Sequence, residues 1–336
     1  MDRADEVLVT GATGFTGGAL ARELRRQSVP VRALVRNRAS DSALELAQSG
    51  VELVEGDLRD AAAVDRAVAG CRLVYHIGAT FRPAGISDRY YHEVNVDGVR
   101  HVLEAARKHR VGRVVHCSTV GVHGHVSRIP SDEDAPYNPG DIYQRTKLEG
   151  ERLAQTAIAE GQPVTIFRPA GIYGPGDLRF LKLFRGIQRR RFLMIGNGRT
   201  LYHFTYIDDL VSGILLCGEH PAAAGRIYIL CGEQHVTLND LVSTIAEAVG
   251  VPKPRGRVPV WPVMTAAILC EAVCRPLGIE PPLHRRRVDF FTHDRSFTNA
   301  RARQELGFSP KTSLAEGIRR TAAWYFEHGH IAKRET

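Results

Sequence analysis

Glycines at positions 11, 14 and 17, directly after an apolar run, limit how this chain can fold more than any other feature. Residues 6–10 predict a β-strand, and residues 15–27 predict the helix that follows it. Gly11 permits a tight turn, Gly14 lets the backbone approach a phosphate, and Gly17 lets helix and strand pack closely. Because the first N–H groups of a helix point outward along its axis, the pattern predicts a site for the pyrophosphate of a dinucleotide.

Short β-branched runs then alternate with amphipathic helical patterns, which is typical of a parallel sheet covered by helices on both faces. The predicted fold class is therefore α/β, a Rossmann doubly wound parallel sheet. Strands are predicted at 6–10, 31–35, 51–54, 73–77, 113–117 and 164–167, with helices between them that include 88–109 and 141–160.

The alternation stops after Arg168, in a segment rich in proline and glycine, and a further strand is predicted at 227–231. We predict a Rossmann domain over 1–168 and 205–232. A smaller substrate-binding lid is predicted over 169–204 and 233–292, and a C-terminal helical segment over 293–336. Ligands of open α/β sheets bind beside the carboxyl ends of the strands, so substrate choice is expected to depend on the lid.

The net charge of +8 suits an anionic ligand, a nucleic acid or an acidic membrane surface. The densest basic runs, 189–191 and 285–287, have neither interleaved aromatic residues nor a recognition-helix pattern. We interpret them as solvated surface or as a phosphate clamp. A small-molecule substrate is expected, and no nucleic acid.

The six cysteines are scattered, and the pair Cys270 and Cys274 has no second Cys or His pair at metal spacing, so no metal is predicted. The apolar stretch 258–274 contains two prolines and Glu271 and falls short of the roughly 20 residues of a spanning helix. No membrane crossing is predicted, and peripheral membrane contact stays open. The chain reaches a strand within about six residues without a secretory leader, which predicts a cytoplasmic protein.

The end of the second strand bears on the choice of cofactor. An acid there would accept hydrogen bonds from the ribose 2′-hydroxyl of NAD, but the chain has Arg36 and Arg38. Their guanidinium groups suit a 2′-phosphate, so NADP(H) is favoured over NAD(H), with solvated surface arginines as the alternative. Asp57 is placed to accept from the adenine amino group, or else to cap the helix that begins near Asp60.

Hydride transfer to a carbonyl needs a group that exchanges a proton with the oxygen. Tyr143 and Lys147 share a helical face at i and i+4, and an ammonium beside a phenol lowers the phenol pKa. Ser118 and Thr119 end a strand at the same predicted sheet edge as the glycine loop, where a hydroxyl can bind the substrate oxygen. Any one of these residues alone would be explained by surface or turn structure, so the prediction depends on their combination.

Taken together, these residues resemble the extended short-chain dehydrogenases/reductases, a group that includes NAD(P)-dependent epimerases, dehydratases and hydroxysteroid dehydrogenases. The resemblance covers nearly the whole chain. It is carried by Thr10-Gly11-Ala12-Thr13-Gly14-Phe15-Thr16-Gly17, Gly56-Asp57-Leu58, His76-Ile77-Gly78-Ala79, Asn95-Val96-Asp97-Gly98, Ser118-Thr119 with Gly124 after it, Tyr143-Gln144-Arg145-Thr146-Lys147, Arg168-Pro169 and Tyr206-Ile207-Asp208-Asp209.

The resemblance implies that Tyr143 is the acid/base, that Lys147 binds the nicotinamide ribose, and that Thr119 orients the substrate oxygen. His123 stands where the family usually has a tyrosine. Asn95 is implied in a proton relay, or is a buried asparagine satisfied by backbone. A homodimer formed through the helices 88–109 and 141–160 is a further implication. The cofactor-binding residues it implies are Gly11, Thr13, Gly14, Phe15, Gly17, Arg36, Asp57, Leu58, Ala79, Tyr143, Lys147 and Pro169.

Three activities stay open. The segment Tyr202-His203-Phe204 departs from the Arg-Asp-Phe of sugar-nucleotide epimerases, and residues 285–321 look more like the 3β-hydroxysteroid and sterol dehydrogenase branch. This favours a dehydrogenase or reductase acting on a secondary alcohol or ketone of a hydrophobic substrate. A nucleotide-sugar 4-epimerase or dehydratase would use the same Tyr143 and Lys147, and an arginine-rich lid could clamp its diphosphate. The third possibility is a protein that senses a dinucleotide without catalysis. The presence of Tyr143 and Lys147 disfavours it.

Overall fold

The computed structural model describes residues 6–81, 85–126, 128–274 and 281–332. The strands of this part of the chain are β1 (Val7–Thr10), β2 (Val31–Val35), β3 (Glu52–Glu55), β4 (Leu73–His76), β5 (Arg113–Cys117), β6 (Val164–Pro169), β7 (Gly171–Tyr173), β8 (Met194–Ile195), β9 (Leu201–Tyr206), β10 (Ile227–Leu230), β11 (His235–Thr237) and β12 (Arg257–Val258).

The α-helices are α1 (Phe15–Arg26), α2 (Asp41–Gln48), α3 (Ala61–Val68), α4 (Asp88–His92), α5 (Gly98–Lys108), α6 (Ile142–Ala159), α7 (Leu181–Gln188), α8 (Ile207–Glu219), α9 (Leu238–Ala248), α10 (Val260–Cys274), α11 (Arg285–Thr292), α12 (Ala300–Leu306) and α13 (Leu314–Glu327). A π-helical turn, Glu93–Asp97, joins α4 to α5, so the helix predicted over 88–109 is interrupted.

Seven parallel strands form the central sheet in the spatial order β10-β6-β5-β4-β1-β2-β3. The chain order reverses between β1 and β4, and this switch point creates a crevice at the carboxyl ends of the strands. The α/β Rossmann prediction is confirmed. The strands predicted at 31–35 and 113–117 have the same bounds in the structure, and the others differ by one or two residues, as strand ends commonly do.

Two small sheets lie outside the central one: β11-β9-β7 and β12-β8. The sequence did not predict them, because β7, β8, β11 and β12 have only two or three residues, too few for a periodic pattern. All five strands lie in the segments assigned to the lid, except that β9 extends two residues past the predicted lid boundary at 204. Leu20 of α1, Phe184 of α7 and Leu241 of α9 share one buried apolar cluster, so these segments pack directly on the Rossmann core. The domain division itself stays a prediction.

Helix α6 begins where its sequence specifies. The Asp141 carboxylate accepts a hydrogen bond from the Gln144 N–H at 2.9 Å, which satisfies one of the donors exposed at the helix start. The cap therefore sets the first turn, which carries Tyr143.

Candidate active site

A cleft of about 1130 Å³ opens at the carboxyl ends of the central strands. Thr119 and every predicted cofactor-binding residue line this cleft. Asn95 does not line it. The structure therefore brings the predicted residues to one place, with that single exception; the role of each one stays a prediction. The predicted residues that line the cleft are Gly11, Thr13, Gly14, Phe15, Gly17, Arg36, Asp57, Leu58, Ala79, Thr119, Tyr143, Lys147 and Pro169.

The glycine loop requires glycines for two physical reasons. Gly11 has a φ of +70°, a left-handed conformation that side chains disfavour, and a Cβ there would lie 2.7 Å from the backbone of Gly78. A Cβ on Gly17 would lie 2.3 Å from the carbonyl oxygen of Gly11. The loop therefore packs closely against the residues that follow β4 and against its own helix. Gly11, Gly14 and Gly17 also line the cleft.

The start of α1 suits an anion. In the described chain no side chain caps this helix, and its N-cap, Gly14, is extended. The first N–H groups of α1 therefore have no side-chain cap, and Phe15, Thr16 and Gly17 of this turn line the cleft, an arrangement that fits the pyrophosphate of a dinucleotide.

Arg36 lies at the far end of the cleft, where it donates to the Tyr90 hydroxyl at 3.2 Å, and Arg59 covers the Tyr90 ring at 4.8 Å. Arg38 does not line the cleft. Asp57 accepts two side-chain hydrogen bonds from Arg59, at 3.0 and 3.1 Å. Burial alone would raise the pKa of Asp57, but the Arg59 hydrogen bonds and the charges of Arg59 and Arg36 lower that pKa overall.

The structure excludes the helix-capping alternative that was given for Asp57. Asp60 caps α3 by accepting from the N–H groups of Ala62 and Ala63, at 2.9 and 3.2 Å. Asp57 is therefore not the cap, and its carboxylate stays at the cleft wall beside Leu58.

Lys147 is 2% exposed, and its ammonium donates to the backbone carbonyl oxygen of Cys117 at 2.5 Å. Burial lowers the pKa of Lys147, while the neighbouring Cys117 and Glu151 act in the opposite direction. One turn earlier on α6, the half-buried Tyr143 meets the edge of Phe81, with ring centroids 5.0 Å apart. Both α6 side chains thus open onto the cleft beside the end of β5.

The two hydroxyls after β5 have different surroundings. Ser118 also lines the cleft, but it is buried and its hydroxyl proton is already donated to Glu151 at 2.5 Å. Thr119 accepts from the Gly121 N–H at 3.0 Å and lines the cleft. The Thr119 hydroxyl uses only a lone pair in this bond, so its O–H proton stays available for donation to a substrate oxygen.

Asn95 lies in the π-helical turn and is 1% exposed. Its side-chain oxygen accepts from the Thr80 N–H at 2.8 Å, and its amide donates to the Thr80 carbonyl at 3.2 Å and to the Thr146 hydroxyl at 3.1 Å. These bonds tie the loop after β4 to α6, and they favour the structural alternative given for Asn95 over the proton relay.

His123, which stands where the family usually has tyrosine, does not line the cleft. Its Nδ1 lies 3.2 Å from the Pro136 carbonyl, and its Nε2 lies 2.9 Å from an Arg168 nitrogen. Arg168 also forms a buried ion pair with Glu151, whose hydrogen bonds at 2.6 and 3.0 Å are bidentate. Sequence reasoning missed this pair, although Glu151 follows Lys147 by one helical turn.

Two imidazoles lie close to the Lys147 charge. His76 and His116 are adjacent in the sheet, and their buried rings stack with centroids 5.4 Å apart. Burial first, and the Lys147 charge second, lower the pKa of His76 to about 3 and lower that of His116. The folded protein therefore disfavours the protonated form of both rings.

Aromatic side chains that the sequence did not assign to the site line the other end of the cleft: Phe180, Tyr202, Phe204, Phe290 and Phe297. Tyr202 and Phe204 belong to the segment that departs from the epimerase pattern, and Phe290 and Phe297 belong to the segment that resembles the sterol dehydrogenase branch. Phe180 had no signal in the sequence. Two arginines line the same end, and both already have partners. Arg179 pairs with Asp177 at 2.7 Å, and Arg295 donates to the Tyr202 hydroxyl.

Neither a metal centre nor a membrane span appears in the described residues. No group of three or more His, Cys, Asp or Glu side chains there could hold a metal ion. Among the same residues, every helix is too short or too polar to cross a bilayer.

Comparison with known proteins gives a family and its members. Residues 7–231 match the model of the NAD dependent epimerase/dehydratase family. The chain is 31% identical to the 2-alkyl-3-oxoalkanoate reductase of Stenotrophomonas maltophilia, over 95% of this chain and 98% of the relative. It is also 31% identical to the sterol demethylase protein B of Methylococcus capsulatus, over 96% and 99%.

Among solved structures, DesIV, a dTDP-glucose 4,6-dehydratase from Streptomyces venezuelae with NAD bound, superposes with a TM-score of 0.76. The two proteins are 26% identical, and the match covers 96% of this chain and 97% of DesIV.

Proposed function

The chain belongs to the NAD dependent epimerase/dehydratase family, and from this premise we propose an NADP-preferring oxidoreductase that acts on a secondary alcohol or ketone of a hydrophobic substrate. The observation that carries the proposal is the meeting of Thr119, Tyr143 and Lys147 in one cleft, between the glycine loop and an aromatic wall.

In the direction of reduction, the Tyr143 hydroxyl gives its proton to the substrate oxygen, and in oxidation its phenolate takes that proton back. The Lys147 ammonium favours the phenolate electrostatically, and its bond to Cys117 keeps it near the start of α6. Thr119 donates to the same substrate oxygen and thereby orients it. When bound, the nicotinamide supplies or accepts the hydride.

The adenosine end supports NADP. Arg36 is the side chain that lines the cleft at the end of β2, where NAD-preferring sites have an acid, and Tyr90 holds its guanidinium in place. A 2′-phosphate can accept hydrogen bonds from this guanidinium, which stays charged at all working pH values.

The aromatic wall supports a hydrophobic substrate over a nucleotide sugar. Recognition of a diphosphate needs guanidinium or ammonium donors that are available to it. The runs 189–191 and 285–287 contribute no lining residue among those that the structure describes, so the arginine-rich clamp considered from the sequence gains no support from them. Arg179 pairs with Asp177 and Arg295 donates to Tyr202, so each of these two arginines has only part of its N–H donors left for a ligand.

A substrate panel tests the proposal. Purified protein is incubated with NADPH and ketones on fused-ring or long alkyl skeletons, and in parallel with NAD(P) and UDP- or GDP-sugars. We expect NADPH consumption with hydrophobic ketones and no change in the sugars. A change in sugar configuration without net cofactor turnover would establish the epimerase alternative instead.

A further inference from the structure

Helix α10 presents an apolar face that no other part of the described chain covers. Trp261, Ile268, Leu269 and Val273 are 73%, 48%, 61% and 62% exposed. At 100° per residue, Trp261, Ile268 and Leu269 lie within one arc of the helix, and Val273 continues it one turn further. From Trp261 to Val273 the face is about 18 Å long.

The polar groups of α10 are removed from that face. The Thr265 hydroxyl donates to the Trp261 carbonyl at 3.0 Å, inside the helix itself. Glu271, which is the one charged residue of α10, is buried and accepts from Arg285 at 2.7 Å (backbone N–H) and 3.2 Å (Nε). The exposed face therefore presents no carboxylate to its surroundings.

A basic rim lies next to this face. Strand β12, directly before α10, pairs with β8, so two exposed basic stretches lead into adjacent strands: Lys253, Arg255 and Arg257 into β12, and the run 189–191 into β8. The segments 178–200 and 249–270 contain no Asp or Glu. Neither segment therefore contributes a carboxylate to the rim. Leu193, 55% exposed, lies beside Gly256 and extends the apolar surface into the rim.

We propose that the α10 face and this basic rim dock on the anionic surface of a lipid bilayer, with Trp261, Ile268 and Leu269 at the boundary between headgroups and acyl chains. An apolar helix face with cationic neighbours and a tryptophan is the combination that interfacial helices use. A symmetric pair of copies would instead bring two positively charged patches together, and the described residues of α10 and the rim segments offer no exposed carboxylate to match them.

The docked orientation has a consequence for the cleft, and this step depends on the proposed function. Helix α11 packs against α10 and contributes Phe290 to the aromatic wall. Helix α11 would therefore be the one element between the docked α10 and the cleft that a hydrophobic substrate dissolved in the bilayer has to pass.

Tryptophan fluorescence tests the docking without any knowledge of the substrate. The chain has two tryptophans, so Trp324→Phe leaves Trp261 as the only reporter. We expect its emission to shift to the blue, and brominated lipids to quench it, with vesicles of phosphatidylcholine plus phosphatidylglycerol. Added salt should reverse both effects, since the attraction is partly electrostatic. Unchanged emission with these vesicles would overturn the proposal, as would a blue shift that depends only on protein concentration, which would indicate a second copy.

Flotation of wild-type and variant proteins with the same vesicles separates the contribution of the apolar α10 face from that of the basic rim. Trp261→Ser with Ile268→Ser and Leu269→Ser should weaken partitioning by about tenfold or more, because buried apolar area is lost. Leu44→Ser, at an exposed leucine of α2, is the matched control.

Lys253→Gln with Arg255→Gln should lower binding to anionic vesicles, whereas Arg66→Gln with Lys311→Gln should not. Equal binding by the α10 variant and its control would contradict the proposal. Cofactor titration of each variant checks that the fold is intact.

Discussion

The ammonium of Lys147 donates to the carbonyl oxygen of Cys117, and this bond joins helix α6 to the end of strand β5. It holds a positive charge one helical turn from Tyr143, inside a buried environment that lowers the pKa of Lys147. The charge and the phenol are therefore fixed relative to each other before any substrate binds.

Removal of this charge should shift the pH dependence of turnover. In Lys147→Met the phenol pKa is no longer lowered by the ammonium, so the rise of kcat for alcohol oxidation should move to higher pH, with kcat about a hundredfold lower at neutral pH. The pH profile of kcat measures this. Lys108→Met, at an exposed lysine paired with Asp65, is the control and should keep the wild-type profile.

The glycine loop should tolerate no side chain at Gly17. Alanine there would place its Cβ 2.3 Å from the Gly11 carbonyl oxygen, so backbone must shift, at a cost of about 1–3 kcal/mol in unfolding free energy. Affinity for NADP(H) should fall as well. Urea unfolding and cofactor titration measure the two effects. Gly186→Ala is the matched helical control, since a Cβ there meets nothing within 4 Å. Equal behaviour of the two variants would refute this account of the turn.

Arg36 should set the preference for NADP. Arg36→Ala should weaken NADPH binding by about tenfold to a hundredfold, because a charge-assisted bond to phosphate is lost, and should change NADH binding much less. Calorimetric titration of both cofactors measures the difference. Arg38→Ala, two residues further on and outside the cleft lining, should leave both affinities unchanged. Wild-type protein that binds NADH as tightly as NADPH would contradict the assignment.

The buried imidazoles should make the protein sensitive to acid. His76 and His116 are neutral when folded, but in the unfolded chain they take up protons below about their ordinary pKa of 6.5. The unfolded state then binds more protons, so unfolding free energy falls with falling pH, by about 1.4 kcal/mol per pH unit for each imidazole.

Urea unfolding at a series of pH values, between about pH 7 and about pH 5, checks this dependence. His116→Leu should reduce the slope by up to one proton. His328→Leu, at an exposed imidazole, controls for the exchange itself. A slope that His116→Leu leaves at the wild-type value would show that His116 does not contribute.

The sequence was sufficient for those parts of the site whose position follows from local geometry. The glycine loop follows a strand directly, and Tyr143 and Lys147 share a face of one helix, so neighbouring residues determine their places. The choice between Ser118 and Thr119 could not be made in this way. It depends on Glu151, which takes the Ser118 hydroxyl and which reaches it only in the folded chain.

The substrate end was not predictable for the same reason. Phe180 directly precedes α7, Tyr202 lies in β9 and Phe290 lies in α11, and these segments meet only through tertiary packing. The residue that caps α3 could not be predicted either, because Asp57 and Asp60 both precede the helix. Only the geometry of the turn places the Asp60 carboxylate on the N–H groups of Ala62 and Ala63.

The most direct measurement is single-turnover hydride transfer by Tyr143→Phe, compared with the wild type, on a ketone found by the panel. The aromatic ring that packs against Phe81 is kept, and only the hydroxyl group is removed. We predict unchanged NADPH affinity and a transfer rate lower by about 10²- to 10⁴-fold. A variant that transfers hydride at the wild-type rate would show that Tyr143 is not the acid/base.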